Sequence, residues 1–238
     1  MKKTTKLLSL AVALFAGFGG TAQAEGFKVG ADVVSSYVWR GGDMGNSPAI
    51  QPTLSYTFPG SAIVVGAWGS YSINDTNANK YNETDLYATI PVGDFCLTIT
   101  DYYIPDAIAK PNARTFDFSN DGPNVIELSV AYAKDNLSLL AAINVAGDKG
   151  DALTGKDGTE NAKYLEAGYK FYDKDGYTAK AVVGIGDEDF YGDQYGVGKN
   201  SNIALVNTGI SVSKDRYTAS YVYNPDTEKS SLVFMASF

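Results

Sequence analysis

Polar and apolar side chains alternate along almost every segment of this chain after residue 24. The last eight residues, SLVFMASF, show the pattern, since every second residue from Leu232 to Phe238 is apolar. Successive side chains of a strand point to opposite faces, so each segment predicts a strand with one apolar face. No helical period competes with this alternation over any long window. The chain must therefore fold as β-sheet whose two sides differ in chemistry.

The connections between these segments alternate in length. Tight turns such as VGD, AKDN, DKDG and SKDR come between longer polar stretches such as RGGDMGNSP and AGDKGDALTGKDGTEN. Glycine, aspartate and asparagine favour tight turns because they tolerate the required backbone angles. About twelve strands joined by short and long connections in turn predict an all-β fold, a transmembrane antiparallel up-and-down barrel whose two ends differ.

The first 24 residues have a different pattern, with a basic start, an apolar run over 7–18 and the small-residue site Ala22-Gln23-Ala24. This layout predicts a cleaved signal peptide at 1–24, followed by one barrel domain at 25–238. A helical span is disfavoured because the apolar run is shorter than the roughly 20 residues that it needs. Cleavage would remove three lysines and change the net charge from −8 to −11, which argues against nucleic acid as a partner.

Aromatic residues mark both ends of the apolar face. In a soluble barrel the large residues fill the interior, whereas here the opposite face is the charged one. The pattern favours an apolar face that meets outer-membrane lipid, with aromatic girdles at its two boundaries. A soluble periplasmic β protein would need a cover for this face, and nothing in the sequence supplies one. The predicted girdle residues are Phe27, Trp39, Phe58, Phe95, Phe171, Tyr177, Tyr217 and Phe238.

The charged face predicts the lining of a lumen. Arg40 follows the first strand and is interpreted either as a selectivity residue at the pore mouth or, preferably, as an ion-pair partner of Glu83 or Asp85. These two carboxylates share a face and could form an acid/base pair, but a place in the lumen wall is favoured. The predicted pore-lining residues are Lys28, Asp32, Arg40, Glu83, Asp85, Glu127, Glu166, Lys170 and Lys180.

The residue types of the chain exclude histidine-based enzyme chemistry. The chain has no histidine, which removes Ser-His triads and His-based metal sites, and its single cysteine, Cys96, forms no internal disulfide. We expect no catalytic site, no cofactor and no metal site. The long connections are acidic and are predicted to crowd one pore mouth. A Ca²⁺ site in the stretch DEDFYGDQYG is an open but disfavoured alternative, because EF-hand spacing is missing. The predicted mouth residues are Asp148, Asp151, Asp187, Glu188, Asp189 and Asp193, with Asp43 and Asp75 nearby.

Short motifs along most of the mature chain resemble the TorF-like porin family. SSYVWRGGDMGNSPAIQPTLSYTF is similar to the opening of that family, and GAWGS, ETDLYATIPVGDF and the terminal Phe238 follow in the same order. The acidic-aspartate-leucine-tyrosine motif falls on Glu83, Asp85, Leu86 and Tyr87. The resemblance implies an outer-membrane barrel that acts as a channel, with no established substrate. The ending also resembles the C-terminal signal that barrel-assembly machinery recognises.

Two functions are therefore expected from different classes. The first is a channel for passive diffusion of small hydrophilic solutes or ions, with a weak preference for cations. The second is a closed structural barrel whose acidic loops contact partners. The longest connection, PDAIAKPNARTFDFSNDGP, is predicted to narrow the mouth, because loops of this length are usually functional or disordered.

Overall fold

A computed structural model of the chain describes residues 25–73, 81–105, 114–119, 122–150, 158–192 and 202–238. The predicted signal peptide and most of the longest connection lie outside these ranges. Among the described residues, no helix is long and apolar enough to cross a membrane.

Twelve strands form one closed antiparallel barrel, and two short strands form a separate hairpin. This architecture confirms the predicted all-β barrel of about twelve strands. The strands are β1 (Gly26–Val34), β2 (Val38–Trp39), β3 (Gly42–Asp43), β4 (Ala49–Thr57), β5 (Val64–Ser72), β6 (Asn82–Val92), β7 (Phe95–Tyr103), β8 (Asn124–Lys134), β9 (Leu137–Ala146), β10 (Lys163–Lys174), β11 (Tyr177–Asp187), β12 (Ile203–Lys214), β13 (Tyr217–Asn224) and β14 (Lys229–Ser237), and one short helix is α1 (Glu188–Tyr191).

The barrel closes where β1 pairs with both β4 and β14. The register with β14 runs from Asp32 opposite Ser237 to Val34 opposite Met235. The backbone N–H of Phe238 donates to the carbonyl of Ala31 at 2.9 Å, and the N–H of Ala31 donates back to Phe238 at 3.2 Å. Every barrel strand thus has a partner on each side, which closes the sheet into a barrel.

The two ends of the barrel differ. Two-residue turns join β6 to β7, β8 to β9, β10 to β11 and β12 to β13. In the turn between β10 and β11, Asp175 and Gly176 have φ values of 55° and 78°, the left-handed backbone that a type I′ hairpin requires. We call this the short-turn end; both β1 and the last residue, Phe238, also reach it. The opposite end carries the long connections and is called the long-loop end.

The barrel is apolar outside and polar inside. Large aliphatic side chains such as Leu54, Ile99, Leu139 and Ile210 are exposed on the outer surface. Buried polar side chains face the interior, among them Gln51, Thr98, Ser129, Asn144 and Ser211. Seven of the predicted girdle residues also carry exposed rings, and their place at a membrane boundary stays a prediction. They are Phe27, Phe58, Phe95, Phe171, Tyr177, Tyr217 and Phe238.

The predicted girdle position of Trp39 does not fit the structure. Strand β1 ends at Val34, and residues 35–48 then fold into the barrel as a segment that we call the lumen hairpin. Trp39 packs there against the rings of Tyr102 and Tyr191. Alternation continues past Val34 in the sequence, so the pattern alone gives no sign that the chain turns inward.

Candidate functional site in the lumen

The lumen hairpin is a compact turn held by its own hydrogen bonds. Strands β2 and β3 pair Val38 with Asp43 and Trp39 with Gly42. The carboxylate of Asp43 accepts hydrogen bonds from the hydroxyl of Ser36 at 2.7 Å and from the N–H of Asn46 at 2.7 Å. These local bonds fix the conformation of the turn after β3.

The hairpin contacts several sides of the barrel wall. The ring of Tyr37 lies 5.4 Å from that of Trp68 on β5, between ring centroids. Val38 packs with Val222 on β13 and Val233 on β14. Because these contacts lie on different strands around the barrel, the hairpin occupies part of the lumen in its long-loop half.

Gly41 allows the tip of the hairpin to touch the wall. Its φ is +90°, and a Cβ built on it would lie 1.9 Å from the carbonyl oxygen of Val206 on β12. A side chain at this position would clash with backbone and would also require a strained left-handed conformation. Glycine is therefore needed at residue 41 for the hairpin to sit where it does.

Arg40, beside that glycine, carries the main polar contact of the hairpin. Its guanidinium donates to both carboxylate oxygens of Glu127 on β8, at 2.6 and 2.9 Å. It also donates to the hydroxyl of Tyr191 in α1 at 2.7 Å. Arg40 is 5% exposed and Glu127 is 0% exposed. Bidentate pairing of this kind fixes geometry as well as charge.

Aromatic rings enclose the same guanidinium. The Arg40 Cζ atom lies 4.5 Å from the ring centroids of Trp39 and Tyr164 and 5.6 Å from that of Tyr191. Rings at these distances attract a cation through their quadrupoles. Burial would lower the pKa of Arg40, but the adjacent Glu127 charge raises it well above its ordinary value. For Tyr191, burial disfavours the charged phenolate and raises the pKa to about 12. At neutral pH the contact therefore joins a charged arginine to a neutral phenol.

The structure corrects the predicted partner of Arg40. An ion pair to Glu83 or Asp85 was expected, and the pair is made with Glu127 instead. Glu127 lies on β8 beside the tip of the hairpin, whereas the two other carboxylates lie on β6, near Tyr37 at its base. Strand spacing in the sequence cannot show which wall an inward-folded tip will reach.

Glu83 and Asp85 form a second buried group, which we call the carboxylate pair. They are 3% and 0% exposed, and both face the lumen from β6. The hydroxyl of Tyr81 donates to Glu83 at 2.9 Å. No other described side chain donates a hydrogen bond to Asp85, and its carboxyl group lies within hydrogen-bonding reach of the Glu83 carboxyl group. The pair thus brings two acidic groups together in a buried place.

The remaining predicted lining residues divide by position along the barrel. Lys28, Lys170 and Lys180 lie toward the short-turn end, with Lys170 directly opposite Lys180 in the register. Asp32 lies two residues before the end of β1, opposite Gln51. Lys170 also pairs with Asp173 at 2.7 Å. Glu166 lies nearer the long-loop end, where it accepts hydrogen bonds from Tyr164 at 2.8 Å and Asn207 at 3.2 Å. The inner wall is therefore more basic in one half and more acidic in the other.

The predicted mouth residues are only partly described. Asp187 accepts a hydrogen bond from the backbone N–H of Lys163, and Asp148 accepts one from that of Gly150. Glu188 and Asp189 begin α1. Asp75, Asp151 and Asp193 lie outside the described residues, as do residues 106–113 and 120–121 of the connection predicted to narrow the mouth. No group of three His, Cys, Asp or Glu side chains fit to hold a metal occurs in the described part of the chain.

Sequence reasoning missed the aromatic residues that face inward. Tyr102, Tyr164 and Tyr191 build the surroundings of Arg40. Strands β7 and β10 also carry outward aromatics, such as Phe95 and Phe171, so an aromatic residue there does not by itself indicate an inward position. For Tyr164 the sequence does contain a signal, which is the glycine at residue 184. A Cβ on Gly184 would lie 2.2 Å from the Tyr164 hydroxyl. Inward glycines on β11 therefore make room for an inward tyrosine on β10.

Fold and site together define a closed antiparallel barrel with a polar interior and an inward-folded hairpin. The chain belongs to the family described as bacterial protein of unknown function (Gcw_chp), whose model matches residues 20–233. The TorF-like family name is not supported by this match. No curated protein matches the chain.

Three solved structures resemble the barrel at low sequence identity. The KdgM porin has a TM-score of 0.47 and 8% identity, covering 88% of this chain and 97% of that one. CdiB from Escherichia coli has a TM-score of 0.40 and 12% identity, covering 88% and 63%. Salmonella typhi OmpF in complex with daunomycin has a TM-score of 0.34 and 10% identity, covering 89% and 97%. At these TM-scores the likenesses carry no argument about what the chain does.

Proposed function

We propose that the protein is a bacterial outer-membrane barrel that serves as a narrow channel for small hydrophilic solutes or ions. The observation that carries this proposal is the distribution of side chains, with exposed aliphatic residues outside and buried polar residues inside. Outer-membrane barrels have this arrangement because lipid surrounds them and their lumen is polar. Export through the predicted signal peptide at 1–24 belongs to the same proposal, and we propose no enzymatic activity.

The inner wall supports a path in the short-turn half. Small hydroxyl side chains face inward there and bond to one another across strands, as Thr89 does with Thr98 and Ser213 with Thr218, each pair at 2.9 Å. Short side chains leave more of the lumen to water than long ones. In the long-loop half, solutes would have to pass beside the lumen hairpin or displace it.

A closed barrel is the second candidate, and the Arg40 contact favours it. A buried bidentate ion pair enclosed by three rings fastens the hairpin to the wall. If this contact holds at all times, the lumen stays shut and the protein acts through its outer loops. The two candidates therefore differ in whether the lumen hairpin can move away from the barrel wall.

Charge supports a weak preference for cations. Arg40 and Glu127 neutralise each other, which leaves three lysines against four carboxylates among the predicted lining residues. The lysines are Lys28, Lys170 and Lys180, and the acids are Asp32, Glu83, Asp85 and Glu166. Acidic residues at the long-loop end add to the negative field, which reaches only about 8 Å at physiological salt. The preference is therefore expected to fade as the salt concentration rises.

Planar-bilayer recording of the purified mature protein tests these proposals. A channel gives discrete current steps, and a KCl gradient gives a reversal potential of the cation-selective sign that shrinks at high salt. A potential of the anion-selective sign would contradict the charge assignment. If the wild type carries no current but the double variant R40Q/E127Q does, the hairpin is a closed plug. If neither carries current, the channel proposal fails.

A further inference from the structure

The carboxylate pair has a feature that a simple pore wall does not need. Glu83 and Asp85 are two residues apart on β6, so their Cα atoms are roughly 7 Å apart on the same face of the strand. Both side chains are buried, and both oxygens of Asp85 lack a donor. A buried carboxylate is costly unless it is paired, hydrogen-bonded or bound to a cation.

No cationic side chain balances the pair among the described residues. Arg40, the basic side chain at the centre of this half of the lumen, is already engaged by both oxygens of Glu127. The lysines that face inward lie toward the short-turn end. Two carboxyl groups are thus held close together at a place where no described side chain brings a positive charge to them.

Oxygen atoms from other residues converge on the same place. The hydroxyls of Tyr81 and Tyr37 both reach the Glu83 carboxylate. Ser70 stands opposite Glu83 in the register and accepts a hydrogen bond from Gln51 at 3.1 Å. Carboxylate and neutral oxygen ligands without nitrogen or sulfur are the set that hard cations prefer, and Ca²⁺ tolerates irregular arrangements of them.

We propose that Glu83 and Asp85 bind a hard divalent cation of the Ca²⁺ type inside the lumen, with neighbouring neutral oxygens as additional ligands. A divalent ion would balance the pair when both carboxyl groups are ionised, and it would give the Asp85 oxygens a partner. The inference goes beyond the proposed function, because a closed barrel would bind the same ion as an open one. A proton shared between the two carboxylates is the competing account, and it predicts no binding of metal.

Terbium luminescence tests the site. Tb³⁺ replaces Ca²⁺ in oxygen sites and emits when a nearby aromatic ring is excited; Trp68 stands opposite Asp85 in the register and can serve as that ring. In detergent-purified mature protein we expect a saturable signal that Ca²⁺ displaces. D85N should weaken binding at least about tenfold, since even indirect partners of metal ligands are worth roughly 10–100-fold. E83Q should act in the same direction.

The matched control is D94N, which removes a carboxylate at an exposed turn where Asp94 pairs with Lys134 at 3.5 Å. Its Tb³⁺ binding should equal that of the wild type. Circular dichroism and gel mobility before and after boiling check that D85N and E83Q fold. Binding that is unchanged in D85N, no saturable signal in the wild type, or loss of signal in D189N alone would each overturn the site. A barrel that binds Tb³⁺ but carries no current would support the cation site and contradict the channel proposal.

Discussion

Arg40 contacts more elements of the barrel than its position after the first strand suggests. Its guanidinium joins the hairpin to Glu127 on β8 and to Tyr191 in α1. Two hydrogen bonds to the Glu127 carboxylate and contacts with three aromatic rings offset the loss of water around this side chain. Because both charges are buried, their value depends on both partners being present.

Removing one member of this pair is expected to be costly. E127Q leaves a buried arginine without its counter-charge, and such a change typically costs roughly 3–5 kcal/mol. The double variant R40L/E127L removes both charges and should cost clearly less than the sum of the two single variants. Urea unfolding in detergent, followed by gel mobility, measures each free energy.

The exposed pair of Lys134 and Asp94 is the control for that cycle. Its two side chains are 59% and 49% exposed, so its removal in K134Q should cost about 0–1 kcal/mol. Equal costs for E127Q and K134Q would mean that the Arg40 contact does not form in the membrane-inserted protein.

Two neighbouring residues on β9 test which face meets lipid. Leu139 is 43% exposed on the outer surface, and Ser138 points into the lumen. L139R places a charge toward lipid and should cost roughly 2–4 kcal/mol, whereas S138R should cost much less. Equal losses in the same urea assay would mean that the membrane does not surround the barrel as proposed, since a slip of one residue exchanges the faces.

At the scale of elements, the lumen hairpin decides how much of the lumen is free. Its own hydrogen bonds to Asp43 hold its turn, and Arg40 at its tip makes its ion pair with the wall. Because of these local bonds, the hairpin can keep its conformation when it moves away from the wall. A change at the tip should therefore move the hairpin without unfolding the barrel.

Gly41→Ala is the sharpest change at that tip. The added Cβ meets the carbonyl oxygen of Val206 and demands a left-handed alanine, a strain of order 1–3 kcal/mol. We expect G41A to displace the hairpin and to raise single-channel conductance, while circular dichroism stays unchanged. Gly42 is the matched control, because its Cβ would meet no atom closer than 3.4 Å. Equal conductance in G41A and G42A would show that the hairpin does not limit the current.

At the scale of the whole molecule, closure is what holds the sheet together. The pairing of β14 with β1 removes the edge that would otherwise expose backbone groups, at a cost of several kcal/mol for each one in hydrocarbon. Phe238 takes part in this closure through two backbone hydrogen bonds. Its ring, by contrast, is exposed on the outside.

Because Phe238 pairs through its backbone while its ring is exposed, the effect of F238A can be predicted. Backbone pairing is kept, so the refolded barrel should still shift in gel mobility on boiling, as the wild type does. We propose that the final strand and its ring are recognised by barrel-assembly machinery in cells, so the amount of F238A in the outer membrane should fall. Normal amounts of F238A in the outer membrane would show that the assembly machinery does not need the Phe238 ring. Wild-type mature protein that stays soluble without detergent would contradict the membrane barrel itself.

The sequence by itself determined the sheet, the number of strands and the two faces. These follow from local rules: side chains alternate with period two, turns need particular residues, and a slip of register is penalised when one face is apolar. Residues such as Leu139 and Ser138 could therefore be assigned to opposite faces from spacing alone. The short-turn end was predictable for the same reason, since turns such as DKDG specify their own conformation.

Only the tertiary structure decided what fills the lumen. Trp39 continues the alternation of β1, yet it lies inside, because the ion pair of Arg40 with Glu127 joins residues 87 positions apart. The isolation of the carboxylate pair has the same origin, since it depends on which wall Arg40 reaches. Such contacts form when the barrel closes and brings distant strands around one space, and no local pattern in the sequence encodes the distance across that space.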